Sequence, residues 1–287
     1  MIKITKENLT IVIVTLKSEE VIDKCLQSIP SDVKKLVIEN SSNYKFTNNI
    51  EKKYKNIKTY LTNENLGMGT ANNIGISKTK TKYVMVLNPD TELKKDTLSK
   101  IFEISNNLNF AILSPICEDK NFPNYKIFSK KNEVKNSDLF EVDRVDGYAM
   151  ILNKSKFENF FDEKFFMYLE NDDLCLRIKK KGEKILIYKK STIKHLGSKA
   201  VNQKYYYELE SSRNWHWNWS KFYFRKKHYG FAFAFIFGFP SFLKSCTKSL
   251  FFYLIGKNNE YKKYKNRAAG FLNSMLNKPS WYRPKFD

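Results

Sequence analysis

Up to about residue 117, short apolar runs alternate with segments of helical periodicity. Residues 9–16 form a continuous β-branched run, which is typical of a parallel strand buried on both faces. The predicted strands are 9–16, 35–38, 57–62, 83–87 and 110–116, and the predicted helices are 19–29, 70–77 and 96–107. This alternation predicts an α/β fold with a mostly parallel sheet and crossover helices on both faces. Ligands in such sheets bind beyond the carboxyl ends of the strands.

The pattern changes after residue 117. Residues 118–138 are polar and irregular, which predicts a loop over the ligand site. Strand-like runs follow at 145–152, 183–188 and 191–194, with a helix at 171–181. We expect these later elements to complete one domain over residues 1–200.

The last part of the chain differs in charge and aromatic content. Residues 201–287 hold 16 Lys and Arg against 4 Asp and Glu, a net charge of +12 within the total of +21, and all four tryptophans. Two apolar runs, 231–242 and 250–255, are each too short to span a bilayer as a helix. Joining them would place Pro240 and two lysines at mid-membrane. The sequence therefore predicts a second, helical region, 201–287, that lies on an anionic membrane as an in-plane or re-entrant amphipathic hairpin.

Two other interpretations of this basic region are open. It could be a helical subdomain that only packs on the first domain. It could also bind nucleic acid through lysines and exposed aromatics. The nucleic-acid interpretation leaves the acidic cluster at residues 170–173 unexplained, so no nucleic-acid partner is expected.

Cysteine usage and the N-terminus bear on the compartment. The four cysteines are scattered without a Cys-x-x-Cys pair, which predicts small core residues in a reducing compartment and no structural zinc. Residues 1–10 show no cleavage-site pattern of a signal peptide. A cytoplasmic protein is expected.

The turn Asn88-Pro89-Asp90 directly follows the predicted strand 83–87. A carboxylate there points toward the ligand-binding edge, where a hard divalent cation takes oxygen ligands from protein and diphosphate. Asn-Pro-Asp is also simply a good turn sequence. Other motifs are needed to decide between the two.

A second candidate is the acidic cluster that begins at Glu170 and includes Asp172 and Asp173. Crowded carboxylates repel one another, which predicts a raised pKa for at least one of them. A carboxylate with a raised pKa can act as a general base near neutral pH. The alternative is a helix N-terminus, where acidic residues interact favourably with the helix dipole.

Eight motifs that occur in order carry a family resemblance. They are residues 12–16, 39–42, 65–75, 87–90, 146–147, 161–168, 170–177 and 195–198. Together they resemble glycosyltransferase family 2, inverting enzymes of the GT-A fold, and in particular its bacterial rhamnosyltransferase-like members. The resemblance covers residues 9 to about 200 and implies a Rossmann-like, mostly parallel sheet flanked by helices.

The resemblance implies a donor site and a metal site. The residues implied to bind the nucleotide sugar are Thr15, Leu16, Glu39, Asn65, Gly67, Asn72 and Asn88. Asp90 and His195 match the positions that hold a divalent metal, Mg²⁺ or Mn²⁺. Glu39 stands where the family usually has Asp, so a rearranged contact with the nucleotide base is expected.

The resemblance also implies an acceptor site and a base. Asp146 and Gly147 are expected to face the acceptor sugar. The family frequently reads Glu-Asp-x-Asp-Leu where this chain has Asn171 at the first Asp. The base role then falls to Glu170 or Asp173. We favour Glu170, with Asp173 orienting it, Arg177 holding the carboxylate geometry, and Asp172 beside them.

These expectations combine into one functional hypothesis. The chain transfers a sugar, with inversion, from a dTDP-rhamnose or UDP-sugar donor to a saccharide or polyprenyl-diphosphate-linked acceptor in cell-surface polysaccharide synthesis. It would act peripherally on the cytoplasmic face of the inner membrane. A family member with impaired catalysis is one alternative. A nucleotidyltransferase is another, but it would need a glycine-rich loop after the first strand, and residues 15–20 contain no glycine.

Overall fold

The structure is a computed structural model that describes residues 2–128, 138–197 and 201–284. Contacts divide the chain into two compact units. The first unit comprises Met1–Asp162 and Asn171–Asn202, and the second comprises Glu163–Glu170 and Gln203–Asp287. Part of the predicted loop 118–138, Ser198 of the last motif and the predicted domain boundary at residue 200 lie outside the described residues.

The first unit is built on a large mixed sheet. Within the described residues, nine strands form one sheet in the order β3-β2-β1-β4-β10-β6-β11-β5, with β8 paired to β11. The strands are β1 Leu9–Thr15, β2 Lys34–Glu39, β3 Ile57–Leu61, β4 Tyr83–Leu87, β5 Thr91–Leu93, β6 Ile112–Cys117, β8 Leu139–Glu141, β10 Ala149–Asn153 and β11 Ile185–His195. The short strands β7 Tyr125–Lys126 and β9 Arg144–Val145 pair with each other. The predicted α/β fold with a mostly parallel sheet is confirmed.

Strand direction changes in the second half of the sheet. Strands β3, β2, β1 and β4 are parallel, as are β6 and β11. Strand β10 runs antiparallel to both β4 and β6, and β11 runs antiparallel to β5 and β8. Strands β8, β10 and β11 come after the regular alternation ends, where periodicity did not predict direction, whereas the three-residue strand β5 lies inside the alternating part and was not predicted.

The helices of the first unit connect these strands. They are α1 Ile22–Ser28, α2 Tyr44–Lys53, α3 Met68–Lys78, α4 Thr97–Ile104 and α5 Glu170–Lys180. The alternation implied a helix between the second and third strands without bounds, and α2 fills that place. Asn43 caps α2, since its side chain accepts a hydrogen bond from the Phe46 N–H.

Two predictions about strands were wrong. The run 145–152 is not one strand, because it is divided between β9 and β10, which belong to different sheets. The runs 183–188 and 191–194 are a single strand, β11, whose register against β6 shifts between Tyr188 and Thr192. A bulge there lets one strand carry two segments that look separate in sequence.

The apolar core lies on both faces of the sheet. Along β1, Ile11 and Ile13 pack in one cluster, while Val12 and Val14 pack in the other. This alternation explains why the strand is apolar throughout. A Cβ on Gly75 in α3 would come within 2.3 Å of a Val12 methyl, so glycine is needed for the helix to approach the sheet. Cys25, Cys117 and Cys175 are free and buried.

In its described residues, the second unit contains three α-helices and the segment Glu163–Glu170. The helices are α6 Tyr206–Tyr229, α7 Phe231–Leu254 and α8 Asn258–Met275. One core cluster joins Phe165 of the segment to Trp215 and Trp219 of α6. Large aromatics therefore hold this segment against α6 and provide much of the buried apolar area of the unit.

Helix α7 is continuous through Pro240. The prediction that 231–242 and 250–255 are two legs of a hairpin was therefore wrong, because both belong to this one helix. Proline at 240 removes the intrahelical donor to the carbonyl of residue 236; one residue further on, the Phe237 carbonyl accepts from Arg225 Nη1 at 2.9 Å. Within the described part of the chain, none of the helices combines the length and hydropathy that crossing a membrane requires.

Candidate active site

The carboxyl group of Glu39 links the ends of β1 and β2. Thr15 and Glu39 are neighbours in the parallel register of the two strands. The Thr15 hydroxyl donates to one carboxyl oxygen of Glu39, and the Ser41 hydroxyl donates to the other. Burial raises the pKa of Glu39, which the two hydroxyl donors partly offset. The longer Glu side chain thus has both oxygens engaged by protein hydroxyls. Leu16 follows directly, and its N–H donates to the Ser18 hydroxyl.

Asn40 organises the loop that leads into α3. Its Oδ1 accepts from the Leu66 N–H at 3.0 Å, and its Nδ2 donates to Asn65 Oδ1 at 3.1 Å. The same Asn65 oxygen accepts from the Gly67 N–H. Gly67 adopts φ +85°, a left-handed conformation that favours glycine, and α3 begins directly after it. The structure therefore brings Asn65 and Gly67 together through Asn40, a residue of the motif 39–42 whose bonds to this loop were not predicted.

Two neighbouring asparagines of α3 have different roles. The side chain of Asn73 donates to the Phe161 carbonyl at 2.9 Å and accepts from the Phe161 N–H at 3.0 Å. This two-point bond is structural, and sequence reasoning missed it. Asn72 is 2% exposed, and its Oδ1 has no hydrogen-bond partner among the described residues. A buried amide oxygen without a hydrogen bond costs free energy. Asn72 is therefore the α3 residue most suited to bind an added ligand.

The Asn88-Pro89-Asp90 turn is fixed by backbone bonds at the end of β4. The Asn88 N–H donates to the Tyr148 carbonyl, and the Asn88 carbonyl accepts from the Thr91 N–H. The turn leads directly into β5, which pairs with the end of β11 so that Thr91 lies opposite His195. Asp90 is consequently beside His195, and its carbonyl accepts from the Leu196 N–H at 3.0 Å.

Asp90 and His195 form a pair that fits a divalent cation. Asp90 Oδ1 lies 3.4 Å from His195 Nε2. Neighbouring ligands of an octahedral cation such as Mg²⁺ are about 3 Å apart, so the pair matches two adjacent coordination positions. Across residues 2–128, 138–197 and 201–284, no three His, Cys, Asp or Glu side chains are gathered as a metal site. Other coordination positions would be left to water and to phosphate oxygens.

Tyr148 holds the imidazole of this pair in place. Its ring stacks on His195, with centroids 3.9 Å apart and planes 6° from parallel. Burial raises the pKa of Tyr148 far above its usual range, so the phenol is neutral at any physiological pH. Tyr148 was not among the sequence-based candidates, although it directly follows the Asp146-Gly147 motif.

The turn before β10 carries Asp146 and Gly147. Burial raises the pKa of Asp146, and nearby positive charges, chiefly Arg144, offset part of that shift. A Cβ added at Gly147 would lie 3.4 Å from the Cβ of Asn171, which is ordinary van der Waals contact. Asn171 Nδ2 donates to the Val145 carbonyl at 3.0 Å. An amide at position 171 therefore has a specific structural use, since aspartate has no N–H to donate.

The two aspartates of α5 are paired with arginines. Asp172 forms an ion pair with Arg144. Asp173 is fully buried and pairs with Arg177 one helical turn later, with Arg177 Nε 2.8 Å from Asp173 Oδ2. Arg177 also donates to the backbone carbonyls of Asn159 and Phe160. Both carboxylates are thus held in place by protein cations.

Glu170, the first residue of α5, is in a different environment. Its Oε2 atom is buried and has no hydrogen-bond partner among the described residues. Burial raises the pKa of Glu170 to about 7. The predicted cause, repulsion among crowded carboxylates, was wrong: desolvation raises the pKa, and the neighbouring aspartates are paired with arginines. The chemical result is a carboxylate that can take up a proton near neutral pH.

Comparison with proteins of known sequence identifies a family and relatives that this chain resembles. The family model described as "Glycosyl transferase family 2" matches residues 10–171. The hexosyltransferase Agl10 of low-salt glycan biosynthesis, from Haloferax volcanii, is 27% identical over 195 residues, which cover 61% of this chain and 63% of Agl10. The rhamnosyltransferase WbbL of Escherichia coli K12 is 26% identical over 208 residues, covering 61% of this chain and 78% of WbbL. The chain thus spans less than two thirds of the length of Agl10.

Solved structures share the fold at low sequence identity. The mannosyltransferase PcManGT of Pyrobaculum calidifontis, in complex with GDP-Man and Mn²⁺, superposes with a TM-score of 0.55 at 11% identity, covering 94% of this chain and 88% of that one. GalNAc-T7 with UDP, GalNAc and Mn²⁺ gives 0.54 at 13% identity, covering 77% and 51%. These similarities confirm the GT-A fold. Since the family model matches more than half of the residues of this chain, the chain belongs to glycosyltransferase family 2.

Proposed function

We propose that this protein is an active inverting glycosyltransferase in which Glu170 is the general base. The observation that carries the proposal is the buried carboxyl of Glu170, whose pKa of about 7 suits proton removal near neutral pH. The pairing of Asp172 and Asp173 with arginines favours Glu170 over either aspartate as base. In this role Glu170 takes the proton of the acceptor hydroxyl as that oxygen attacks the anomeric carbon opposite the nucleotide, which inverts the centre.

For the donor we propose a nucleoside-diphosphate sugar of the dTDP-rhamnose or UDP-sugar type, bound at the carboxyl ends of β1, β2 and β4. The ordered Asn65–Gly67 loop and the buried, unsatisfied Asn72 oxygen support this location. The relatives are named as a hexosyltransferase and a rhamnosyltransferase, and PcManGT was solved with GDP-Man. These names supply the nucleotide sugars with which the proposed donor class is tested below.

For the metal we propose a divalent cation, Mg²⁺ or Mn²⁺, held by Asp90 and His195. Support comes from the spacing of the two side chains and from the stacking of Tyr148 that fixes the imidazole. A bound cation would neutralise charge that develops on the leaving diphosphate. Asp90 and His195 themselves supply a carboxylate oxygen and an imidazole nitrogen at a fixed separation.

For the acceptor we propose a saccharide or polyprenyl-diphosphate-linked glycan at an anionic membrane surface, as in cell-surface polysaccharide synthesis. Helix α7 supports this location, because it exposes several large apolar side chains in the basic part of the chain. Phe237, Leu250 and Leu254 are 57%, 62% and 73% exposed. An apolar helix face with flanking lysines is suited to anionic lipid headgroups.

A donor panel tests the proposed function. UDP-glucose, UDP-GlcNAc, GDP-mannose and dTDP-rhamnose would each be added with Mn²⁺, and protection against thermal unfolding would be measured. One donor is expected to raise Tm and to release its nucleoside diphosphate slowly in the presence of enzyme. If none of these sugar nucleotides binds or is consumed, the proposed donor class is wrong.

A further inference from the structure

Two consecutive residues with left-handed backbone conformation directly precede Glu170. Tyr168 has φ +70° and Leu169 has φ +67°. Bulky L-residues rarely adopt such angles. Within the described residues, no other two neighbouring non-glycine residues both have positive φ. The remaining non-glycine residues with positive φ are isolated along the chain, and most are asparagines. Backbone of this kind persists where the surroundings impose it.

Helix α6 supplies those surroundings. The Ser220 hydroxyl donates to the Met167 carbonyl at 2.8 Å, just before the left-handed pair. The ring of Tyr168 meets the ring of Trp217 edge to face, with centroids 5.3 Å apart. Leu169 packs against the cluster of Phe165, Trp215 and Trp219. We call these contacts of Ser220, Trp217 and the cluster the α6 clamp.

The C-terminal residues reinforce the same segment. The Ser280 hydroxyl donates to the Lys164 carbonyl at 2.8 Å. The guanidinium of Arg283 lies over the ring of Phe166 at 3.8 Å, and the His216 ring contacts that phenylalanine at 4.6 Å. Burial lowers the pKa of His216 to about 4, so its imidazole is neutral and donates through Nε2 to the Tyr282 carbonyl. The segment Glu163–Glu170 is thus held at several points along its length.

We propose that the α6 clamp positions the catalytic carboxyl: by holding Tyr168 and Leu169 in the left-handed conformation, it fixes where the chain enters α5 and so where the Glu170 side chain lies. The inference rests on the proposed role of Glu170 as base. It makes Tyr168, Leu169 and Ser220 positioning residues, and it gives the helical unit a part in catalysis separate from any membrane contact.

The physical reason is that φ sets the direction in which the chain continues, so a change from positive to negative φ turns the chain that follows. If residue 169 relaxed to a negative φ, the first turn of α5 would start from a different direction and the Glu170 carboxyl would move. A carboxyl that gains contact with water has a lower pKa and becomes a weaker base. Titratable groups near the loop are the Tyr168 phenol and, around it, Arg213 and Glu210.

The first test compares Leu169→Gly with Leu169→Ala. Both remove the packing of the leucine, but only glycine adopts positive φ without steric cost. We therefore expect kcat of Leu169→Gly to exceed that of Leu169→Ala by about tenfold, with the KM for the donor equal in the two variants. In an ordinary helical or extended position alanine would be the better residue, so equal or reversed kcat values would overturn the proposal.

Asn107 offers a matched control, since it also has a left-handed backbone, φ +57°, but lies after α4. Asn107→Gly should be more stable than Asn107→Ala, as at position 169, but the two Asn107 variants should have the same kcat. If the Gly and Ala variants differ in kcat as much at position 107 as at position 169, the kcat difference reflects general stability. That outcome would refute a positioning role.

The second test removes one bond of the clamp. Ser220→Ala is expected to lower kcat about tenfold with unchanged donor KM, and to move the acid limb of the pH–kcat profile to lower pH. Ser245→Ala is the control: Ser245 is also a buried serine of this unit whose hydroxyl donates to a backbone carbonyl at 2.8 Å, that of Ser241. A Ser220→Ala profile that keeps the wild-type midpoint would contradict the inference.

The assay for all variants is release of nucleoside diphosphate from the donor that the panel identifies. If wild-type protein releases none, or if Glu170→Gln is as active as wild type, the proposed function fails. If wild type is active and Glu170→Gln is not, but the Leu169 and Ser220 variants behave as their controls do, only the positioning inference fails.

Discussion

Asp90 Oδ1 and His195 Nε2 lie 3.4 Å apart because two short strand ends pair antiparallel, β5 directly after Asp90 and the end of β11 at His195. The pairing, rather than either side chain alone, creates the candidate metal position. A buried carboxylate and a stacked imidazole are thereby held at nearly the separation that an octahedral cation requires.

Loss of either side chain should therefore weaken metal-assisted donor binding. We expect Asp90→Asn and His195→Ala each to lower the Mn²⁺-dependent increase in Tm with UDP, with Asp90→Asn giving the larger loss, about tenfold or more in apparent Mn²⁺ affinity. Titration calorimetry with Mn²⁺ in the presence of UDP would measure the apparent Mn²⁺ affinity. Asp96→Asn is the control, since Asp96 is paired with Lys100 at the surface. Wild-type Mn²⁺ affinity in Asp90→Asn would exclude this site.

Glu170→Gln should abolish turnover while leaving the donor bound. A positioned general base contributes about 10²–10⁴-fold to rate, so kcat is expected to fall by that factor with little change in the donor KM. In wild type the base works only when deprotonated. Because the pKa of Glu170 is raised to about 7, kcat should decline as pH falls through that value. An enzyme with full kcat at pH 5.5 would contradict the assignment.

The same carboxyl should make stability depend on pH. The fold favours neutral Glu170, whose pKa rises from 4.5 to about 7, so the folded state binds this proton more tightly than the unfolded chain. That contribution is fully present below pH 4.5 and is lost as pH rises through 7. Glu170→Gln stays neutral, so it should be more stable than wild type at pH 8, by at most about 3 kcal/mol, and nearly equal to it at pH 4.5.

Urea unfolding at the two pH values measures this difference. Glu163→Gln, which removes an exposed carboxyl from the same segment, is the control for the loss of one negative charge there. A stability difference between Glu170→Gln and wild type that is the same at both pH values would show that burial does not perturb this group.

Restoring the family's aspartate at position 171 should be harmful. The Asn171 Nδ2 group donates to the Val145 carbonyl, whereas a carboxylate there would face that carbonyl with no proton to share. We expect Asn171→Asp to lower the free energy of unfolding by about 1–3 kcal/mol at pH 8 and not to raise kcat. Asn171→Ala, which loses the bond without adding charge, should cost less. A more stable Asn171→Asp protein would show that the amide has no such role.

The exposed face of α7 should determine membrane binding. Wild-type protein is expected to co-sediment with phosphatidylglycerol vesicles, less so at high salt. Phe237→Glu with Leu250→Glu should abolish co-sedimentation, because both side chains are more than half exposed on that helix. Phe122→Glu, which changes an exposed phenylalanine of the first unit, is the control. Binding that survives the α7 changes would rule out this face.

Periodicity predicted the strands from β1 to β4. The roles that motif order assigned to the candidate residues stay predictions. The pairing of β5 with β11 was not predicted, because β5 has only three residues and no strand was predicted there, and because the direction of β11 is not visible in its periodicity. The hydrogen bonds of Asn40 and Asn73 were missed because each side chain bonds to backbone that is distant in sequence. The cause of the Glu170 pKa shift was wrong because charge spacing is visible in a sequence and desolvation is not.

The assignment of Glu163–Glu170 to the helical unit has a consequence for how such chains recombine. A crossover at residue 202 would leave the donor and metal candidates together but would pair this segment with foreign helices. Exchange of C-terminal helices between relatives should therefore succeed only when the eight residues before Asn171 are exchanged with them. The part of the chain that must be exchanged as one piece is therefore discontinuous in sequence, and its first segment ends at the candidate base.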